Sequence, residues 1–134
     1  MSTTPIVTVL GAGSWGTALA LHAARRGLRT RLWTRSVEHF ELMRRERRNA
    51  RYLPDFPFPD NLEASADQAA ALADAALVIL AIPSHALRNS LLAVREVQAD
   101  LAAPPLYLVA AKGVEVDTLE TMAEVVTQTL PPAH

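Results

Sequence analysis

Hydrophobic residues along the chain form short runs that alternate with longer amphipathic stretches. The runs at 6–11, 76–82 and 106–111 are almost wholly apolar, whereas 28–33 alternates apolar and polar positions. Apolar runs of this length predict strands, and runs without alternation predict strands that are buried on both faces. A further short strand is predicted near 62–65.

The stretches between these runs predict helices. Ala and Leu recur at helical spacing in 14–27, and the next stretch carries Phe40, Leu42 and Met43 behind a capping Ser36. The predicted helices cover 14–27, 36 to about 48, 66–73, 84 to about 100, and 118–130. Strand and helix therefore alternate along the chain. This order predicts an α/β fold, a doubly wound parallel sheet with helices on both faces.

Local signals mark several boundaries of these elements. Arg25-Arg26-Gly27 is typical of a helix C-terminus. Ser36 is placed to cap the second helix, and Ser84 to cap the helix after the strand at 76–82. Residues 49–62 contain three prolines within six residues, so we expect an ordered irregular loop there.

Composition narrows the class of protein. The chain has 134 residues, enough for one domain with a core, and we predict that 1–134 is a single domain. The net charge of -1 gives no general attraction to nucleic acid or to an anionic membrane. The chain has no Cys, which excludes disulfides and cysteine-based zinc sites, and we expect no metal.

Targeting signals are also missing from the sequence pattern. The N-terminus lacks a basic lead, and the apolar run at 75–83 is far shorter than the ~20 residues that span a bilayer. We therefore expect a cytoplasmic protein without membrane insertion. Five arginines fall within 44–51. They are explained most simply as the solvated end of a helix, although one of them could face an anionic ligand.

A glycine fingerprint follows the first predicted strand. "GAGSWG" at 11–16 matches G-x-G-x-x-G and opens a predicted helix, which is the context that dinucleotide binding requires. Gly11 would permit the tight turn, Gly13 the approach of a pyrophosphate, and Gly16 close packing of the helix. Free N–H groups near Ser14 and Trp15 would face the phosphates.

The second predicted strand ends without the acid that binds the adenosine ribose in NAD-specific proteins. Arg35 occupies that place, in the sequence "LWTRS". Glu38 lies inside the next helix and is discounted. Because a guanidinium can hold a 2′-phosphate bidentately, we expect NADP or NAD to bind, with NADPH preferred.

Two further strand ends should reach the same edge of a parallel sheet. One carries Pro83-Ser84-His85 and the other Lys112-Gly113. Pro83 could contact a cofactor or merely separate strand from helix. His85 could be an acid–base group, but its simplest explanation is a solvent-facing residue in the first turn of a helix. Lys112 is the sole lysine beside twelve arginines. An ammonium in this cleft can donate to a phosphate, a carbonyl or a developing alkoxide.

Taken together, these motifs resemble the N-terminal domain of bacterial NAD(P)-dependent glycerol-3-phosphate dehydrogenases. The resemblance covers nearly the whole chain and keeps the family's order and spacing. The matching segments are "GAGSWGTALA" (11–20), "LWTR" (32–35), "NARYLPDFPFPDNL" (49–62), "AIPSHALR" (81–88) and "AAKGVE" (110–115).

The resemblance implies reversible NAD(P)H-dependent reduction of dihydroxyacetone phosphate to sn-glycerol 3-phosphate, for glycerophospholipid synthesis. It also implies that Lys112 contacts both cofactor and substrate and that Tyr52 lines the cofactor site. Other members carry Arg where this chain has Ser36, which bears on the strength of the NADP preference. The implied cofactor contacts are Ser14, Trp15, Arg35, Ser36, Tyr52 and Lys112.

The family's chain continues into a helical C-terminal domain that supplies a second lysine as general acid–base and forms homodimers. We therefore expect residues 1–134 alone to bind dinucleotide without turning over substrate. Two alternatives stay open from the sequence. One is another reductase of the same superfamily, of the ketopantoate or hydroxyacyl-CoA type. The other is a stand-alone nucleotide-sensing module.

Overall fold

A computed structural model of the chain describes residues 5–101, 103–110, 118 and 120–130. Strands and helices alternate along these residues, as the sequence predicts. The elements are β1 (Ile6–Leu10), α1 (Ser14–Arg25), β2 (Arg29–Trp33), α2 (Val37–Glu46), β3 (Leu62–Ser65), α3 (Gln68–Leu72), β4 (Ala75–Leu80), α4 (Ser84–Gln98), β5 (Leu106–Val109) and α5 (Met122–Thr129). None of the described helices combines the length and apolar character needed to cross a membrane.

The strands form one parallel sheet in the order β3-β2-β1-β4-β5. The chain winds outward from β1 to β3 and then returns to pair β4 with the other side of β1. Leu10 at the end of β1 is therefore level with Trp33 on one side and Leu80 on the other. This reversal of strand order is the point where doubly wound sheets bind ligands.

The helices divide between the two faces of the sheet. α1 and α2 supply Leu21 and Met43 to one core cluster, which also contains Leu32 of β2. α3, α4 and α5 contribute to the other cluster, in which Leu91 of α4 is grouped with Leu80 of β4. Both faces of the central strands are therefore covered, which confirms the prediction of a doubly wound sheet.

Residues 106–111 were predicted to form a buried strand. The strand is present as β5, but it is not buried. β5 lies at the edge of the described sheet, and Leu106 and Leu108 are 68% and 50% exposed. Tyr107 and Val109 point the other way and pack against the core on the α4 side. In the described part of the chain, no helix covers the leucine face, which explains the exposure.

Two predicted helix starts also need correction. Ser84 does not cap α4, because it is the first helical residue and Pro83 occupies the cap position without a side-chain hydrogen bond. The last helix begins at Met122 rather than at 118. Thr121 and Glu124 form a reciprocal capping box that fixes this start. Ser36 caps α2 as predicted, accepting a hydrogen bond from the N–H of His39 at 3.1 Å.

The contrast between central and edge strands is testable with two leucines. Leu80→Ala removes a fully buried side chain of β4 and should lower the free energy of unfolding by about 2–5 kcal/mol. Leu108→Ala is the matched change on β5 and should lower it by less than about 1 kcal/mol, because that side chain is already half exposed. Urea unfolding measures both. Equal losses would contradict the assignment of β5 as an uncovered edge.

Candidate functional site

Two adjoining clefts lie at the carboxyl edge of the sheet, on either side of the switch between β1 and β4. The first, about 340 Å³, lies between the end of β2 and the proline-rich loop, which we define as residues 49–61. The second, about 520 Å³, lies between the start of α1 and the end of β5. Gly13, Ile82 and Pro83 line both clefts, so the two form one continuous groove.

The structure brings nine of the ten predicted site residues to this groove. Lys112 lies outside the described residues, as does Gly113, while Ala110 lines the second cleft. Gly11, Arg35, Ser36 and Tyr52 line the first cleft; Ser14, Trp15 and Gly16 line the second; Gly13 and Pro83 line both. His85 also lines the first cleft and is exposed.

Two glycines of the fingerprint are required by the fold itself. Gly11 has φ +115, a conformation that L side chains rarely adopt, and a Cβ there would lie 2.6 Å from the carbonyl oxygen of Ala81. A Cβ at Gly16 would overlap the carbonyl oxygen of Gly11 and lie 3.1 Å from the Cβ of Ala81. The close approach of α1 to β1 and β4 therefore depends on both residues.

Gly13 differs from the other two, because nothing among the described residues requires a glycine there. Its φ of -81 and ψ of -169 are ordinary extended values, and a Cβ at Gly13 would meet no atom of the described residues within 4 Å. That Cβ would stand in open space at the junction of the two clefts. The absence of a side chain keeps open the approach to the start of α1, which is the shape that a pyrophosphate needs.

The start of α1 is open to an anion. No side chain of the described residues caps it, and its first turn contains no acidic residue. The N–H groups of Ser14, Trp15 and Gly16 have no intrahelical acceptor, so they are available to a ligand at the positive end of the helix dipole. α4 also begins beside the groove without a side-chain cap or an acid. The starts of α2, α3 and α5, by contrast, are capped by Ser36, Asp67 and Thr121.

The charges around the groove have one sign. Arg35 and Arg51 line the first cleft, and no Asp or Glu is among the described residues that line either cleft. Trp33 belongs to the same wall, and its indole N–H is buried with no hydrogen-bond partner among the described residues. The wall of the first cleft thus presents donors and no anionic acceptor. Glu38, discounted from the sequence, does not line it.

Asn49 joins the proline-rich loop to the glycine loop, a role that sequence reasoning missed. Its side chain is fully buried. Nδ2 donates to the carbonyl oxygen of Ala12 at 2.9 Å and to Oγ1 of Thr17 at 2.8 Å. Oδ1 contacts Nε2 of His39 at 2.9 Å and accepts from the N–H of Tyr52 at 3.2 Å. All four hydrogen-bonding positions of the amide are used.

Tyr52 is held at the rim of the first cleft by further contacts. Oγ of Ser14 donates to the carbonyl oxygen of Tyr52 at 3.3 Å. The Tyr52 ring meets the buried His39 ring edge to face, with centroids 5.7 Å apart. Because Ser14 begins α1 and His39 belongs to α2, the exposed tyrosine is positioned by both helices.

Three of the five arginines at 44–51 have partners within the fold, which differs from the solvated helix end that the sequence predicted. Arg44 pairs with Glu41 at 2.7 Å on the surface of α2. Arg47 donates to the carbonyl oxygens of Pro59 and Leu62, and Arg48 donates to that of Pro54. Arg47 and Arg48 therefore hold the proline-rich loop against the end of α2.

A larger cleft, about 990 Å³, lies at the opposite edge of the sheet, where the strands begin. Its lining includes Asp60, Glu63 and Asp74. These three carboxylates outnumber the one guanidinium of the cleft, that of Arg29, and so disfavour an anionic ligand. Ligands of doubly wound sheets also bind at the carboxyl edge. Although this cleft has the greater volume, its charge and its position argue against a dinucleotide. We therefore place the candidate site at the groove around Gly13.

Comparison with known proteins identifies the family. A model of the family described as NAD-dependent glycerol-3-phosphate dehydrogenase N-terminus matches residues 6–134. The chain belongs to this family. Membership favours the dehydrogenase interpretation over a ketopantoate or hydroxyacyl-CoA reductase, the alternative that the sequence had left open.

Individual members of the family resemble this chain over most of its length. The glycerol-3-phosphate dehydrogenase [NAD(P)+] of Anaeromyxobacter dehalogenans is 49% identical over 129 residues, which is 95% of this chain and 38% of that protein. The corresponding protein of Methylococcus capsulatus is 52% identical over 101 residues, 75% of this chain and 28% of that one. The chain thus spans well under half the length of these curated relatives.

A solved structure agrees with the fold. The crystal structure of glycerol-3-phosphate dehydrogenase from Coxiella burnetii superposes with a TM-score of 0.88 at 34% identity, covering 96% of this chain and 38% of that chain. A similarity of this extent supports the α/β fold of the described chain.

The different roles of the glycines give a stability test. Gly16→Ala should lower the free energy of unfolding by about 2 kcal/mol or more, because its methyl group would overlap backbone. Gly13→Ala should change it by less than about 1 kcal/mol, because its methyl group meets open space. Thermal unfolding of both variants measures the difference. A Gly13→Ala loss as large as that of Gly16→Ala would show that Gly13 also serves the fold.

The buried amide gives a second test. Asn49→Ala should lower the free energy of unfolding by about 2–4 kcal/mol, because it leaves several polar groups without partners. Asn89→Ala, at an exposed position on α4, is the matched control and should change it by less than about 0.5 kcal/mol. Denaturant unfolding compares them. If Asn49→Ala is as mild as the control, the network does not fix the loop.

Proposed function

We propose that this chain is the cofactor-binding part of an sn-glycerol-3-phosphate dehydrogenase that uses NADP or NAD and prefers NADPH. The observation that carries the proposal is the uncapped start of α1 at Gly13, placed where the two clefts meet. A dinucleotide has two nucleoside halves joined by a pyrophosphate, and the groove has two cavities joined at an anion-binding helix terminus.

Each end of the groove suits a different half of the cofactor. The N–H groups of Ser14 and Trp15 would receive the pyrophosphate. The first cleft would hold the adenosine half, with Arg35 on a 2′-phosphate and Ser36 and Tyr52 lining the pocket. The absence of a carboxylate from its described lining supports NADP, because NAD-specific sites place an acid on the ribose hydroxyls.

The second cleft would hold the nicotinamide half, which supplies hydride transfer when bound. Pro83 and Ala110 line this cleft. Lys112 follows Ala110 by two residues, and we propose it as a contact to both cofactor and substrate, where an ammonium could stabilise charge on the reacting oxygen. The proton-carrying lysine is proposed to belong to the C-terminal domain of the complete enzyme.

The proposed reaction is the reversible reduction of dihydroxyacetone phosphate to sn-glycerol 3-phosphate. The product would serve glycerophospholipid synthesis in the cytoplasm, and the complete enzyme would be a homodimer. These roles follow from the family resemblance. Support from this chain is confined to the cofactor groove, since it spans 38% of a curated relative such as that of Anaeromyxobacter dehalogenans.

Cofactor binding is tested by calorimetric titration of residues 1–134 with NADPH. Gly13→Ala should weaken binding by about tenfold or more, because its methyl group would stand where the pyrophosphate approaches. Arg45→Ala changes an exposed residue of α2 outside both clefts and should bind like the parent. The proposal fails if the parent shows no saturable binding, or if a folded Gly13→Ala binds equally well.

The reaction is tested separately, by expressing the open reading frame past codon 134 and measuring dihydroxyacetone phosphate-dependent oxidation of NADPH. We expect turnover from a two-domain product and none from residues 1–134 alone. A stop at codon 134 with nucleotide binding intact would favour the alternative of a stand-alone nucleotide-sensing module. Turnover by the purified 134-residue chain would contradict the assignment of the proton carrier to another domain.

A further inference from the structure

Arg51 belongs to the arginine cluster at 44–51, but its side chain makes no structural contact with the described residues of the kind that Arg44, Arg47 and Arg48 make. Arg44, Arg47 and Arg48 are each engaged by a carboxylate or by backbone carbonyls. Arg51 is exposed, lines the first cleft, and has no hydrogen bond or ion pair with any described residue. Arg35 at the end of β2 lines the same cleft and is also without such a partner. Two guanidinium groups from distant segments therefore border one small cavity.

The backbone that carries Arg51 is fixed before any ligand arrives. Asn49 is fully buried, and its Oδ1 accepts from the N–H of Tyr52 at 3.2 Å. The N–H of Leu53 donates to the carbonyl oxygen of Asn49 at 2.8 Å. Arg51 lies inside this closed turn, so binding a ligand would order its side chain but not its backbone. Such preorganisation reduces the entropy lost on binding.

The chemistry of the cavity selects a dianion. No carboxylate is among the described residues lining it, so neither guanidinium is neutralised there. Nε2 of His39, which also lines the cavity, is 2.9 Å from Oδ1 of Asn49, so it is not available to bind the ligand. A phosphate monoester offers three terminal oxygens and accepts bidentate hydrogen bonds from guanidinium groups. A ribose with two free hydroxyls offers neither the charge nor that geometry.

We propose that Arg51 is a second specificity-determining residue for NADPH, which acts with Arg35 on the 2′-phosphate of the adenosine ribose. This inference rests on the proposed function, because it places the adenosine half in the first cleft. It explains why the cofactor preference is not set by the β2 terminus alone. It also gives the proline-rich loop a role in selecting the cofactor, with Asn49 as the residue that positions it.

The test compares affinities for NADPH and NADH by calorimetry, which needs no turnover. Arg51→Ala should weaken NADPH binding about tenfold and change NADH binding by less than about twofold. Arg51→Lys should fall between the parent and Arg51→Ala for NADPH, because it keeps the charge but loses the bidentate geometry. Arg45→Ala, the matched exposed arginine outside the clefts, should alter neither affinity.

Fragments of the cofactor isolate the phosphate. Adenosine 2′,5′-bisphosphate should lose affinity in Arg51→Ala to the same extent as NADPH, whereas adenosine 5′-monophosphate should not. The double variant Arg35→Ala/Arg51→Ala should lose less than the product of the two single losses, because both side chains hold one group. Because Arg51→Ala removes a charge that faces the phosphate, its affinity for NADPH should depend less on salt concentration than that of the parent.

Several results would overturn the inference. Equal losses for NADPH and NADH in Arg51→Ala would place Arg51 on the pyrophosphate instead. Unchanged NADPH binding would make it a solvated side chain. Both outcomes leave the proposed function intact, because the parent still binds dinucleotide. If the parent binds neither nucleotide, the proposed function fails and this inference fails with it.

Discussion

The buried amide of Asn49 is the interaction on which the candidate site depends. An amide without partners inside a protein is costly, and this one meets all its hydrogen-bonding requirements across three segments. It reaches the glycine loop at Ala12, α1 at Thr17 and α2 at His39. A loop with several prolines and little secondary structure is thereby fastened to the cofactor groove.

This constraint explains how an irregular segment can contribute to a defined pocket. Regular elements position Gly13 and Arg35, because both follow directly from strands of the sheet. Tyr52 and Arg51 belong to a loop and would be poorly placed without the amide and the bond from Ser14 to the Tyr52 carbonyl. The glycine loop and the proline-rich loop are therefore parts of one site, although more than thirty residues separate them in the chain.

Within the glycine fingerprint, some glycines are needed for the fold and another is best explained by ligand binding. Gly11 and Gly16 have steric reasons within the described fold, while Gly13 has none among the described residues. A residue that the fold does not need, at the point where two clefts and a helix terminus meet, is best explained by a ligand. The surrounding charges agree, since the described lining contains guanidinium groups and no carboxylate.

Hydrophobic periodicity was sufficient to predict the order of strands and helices, because each period reflects how a local segment meets the core. It could not reveal that β5 is an uncovered edge, since burial depends on neighbours elsewhere in the chain. The strand ends and the glycine pattern predicted most of the nine described groove residues, and the family resemblance added Ser36 and Tyr52. Asn49 escaped prediction because its partners Ala12 and Thr17 lie 37 and 32 residues away. Arg51 was not singled out from the sequence, because the pattern of arginines at 44–51 does not show which of them have partners in the fold.

The central claim, that a dinucleotide binds across the junction at Gly13, is tested most directly by amide NMR during titration with NADPH. The account predicts that the largest shift changes occur at Gly13, Ser14 and Trp15 and in the loop around Tyr52. The amides around Asp74, at the opposite edge of the sheet, should change little. Changes concentrated around Asp74, or a spectrum unaffected by NADPH, would contradict it.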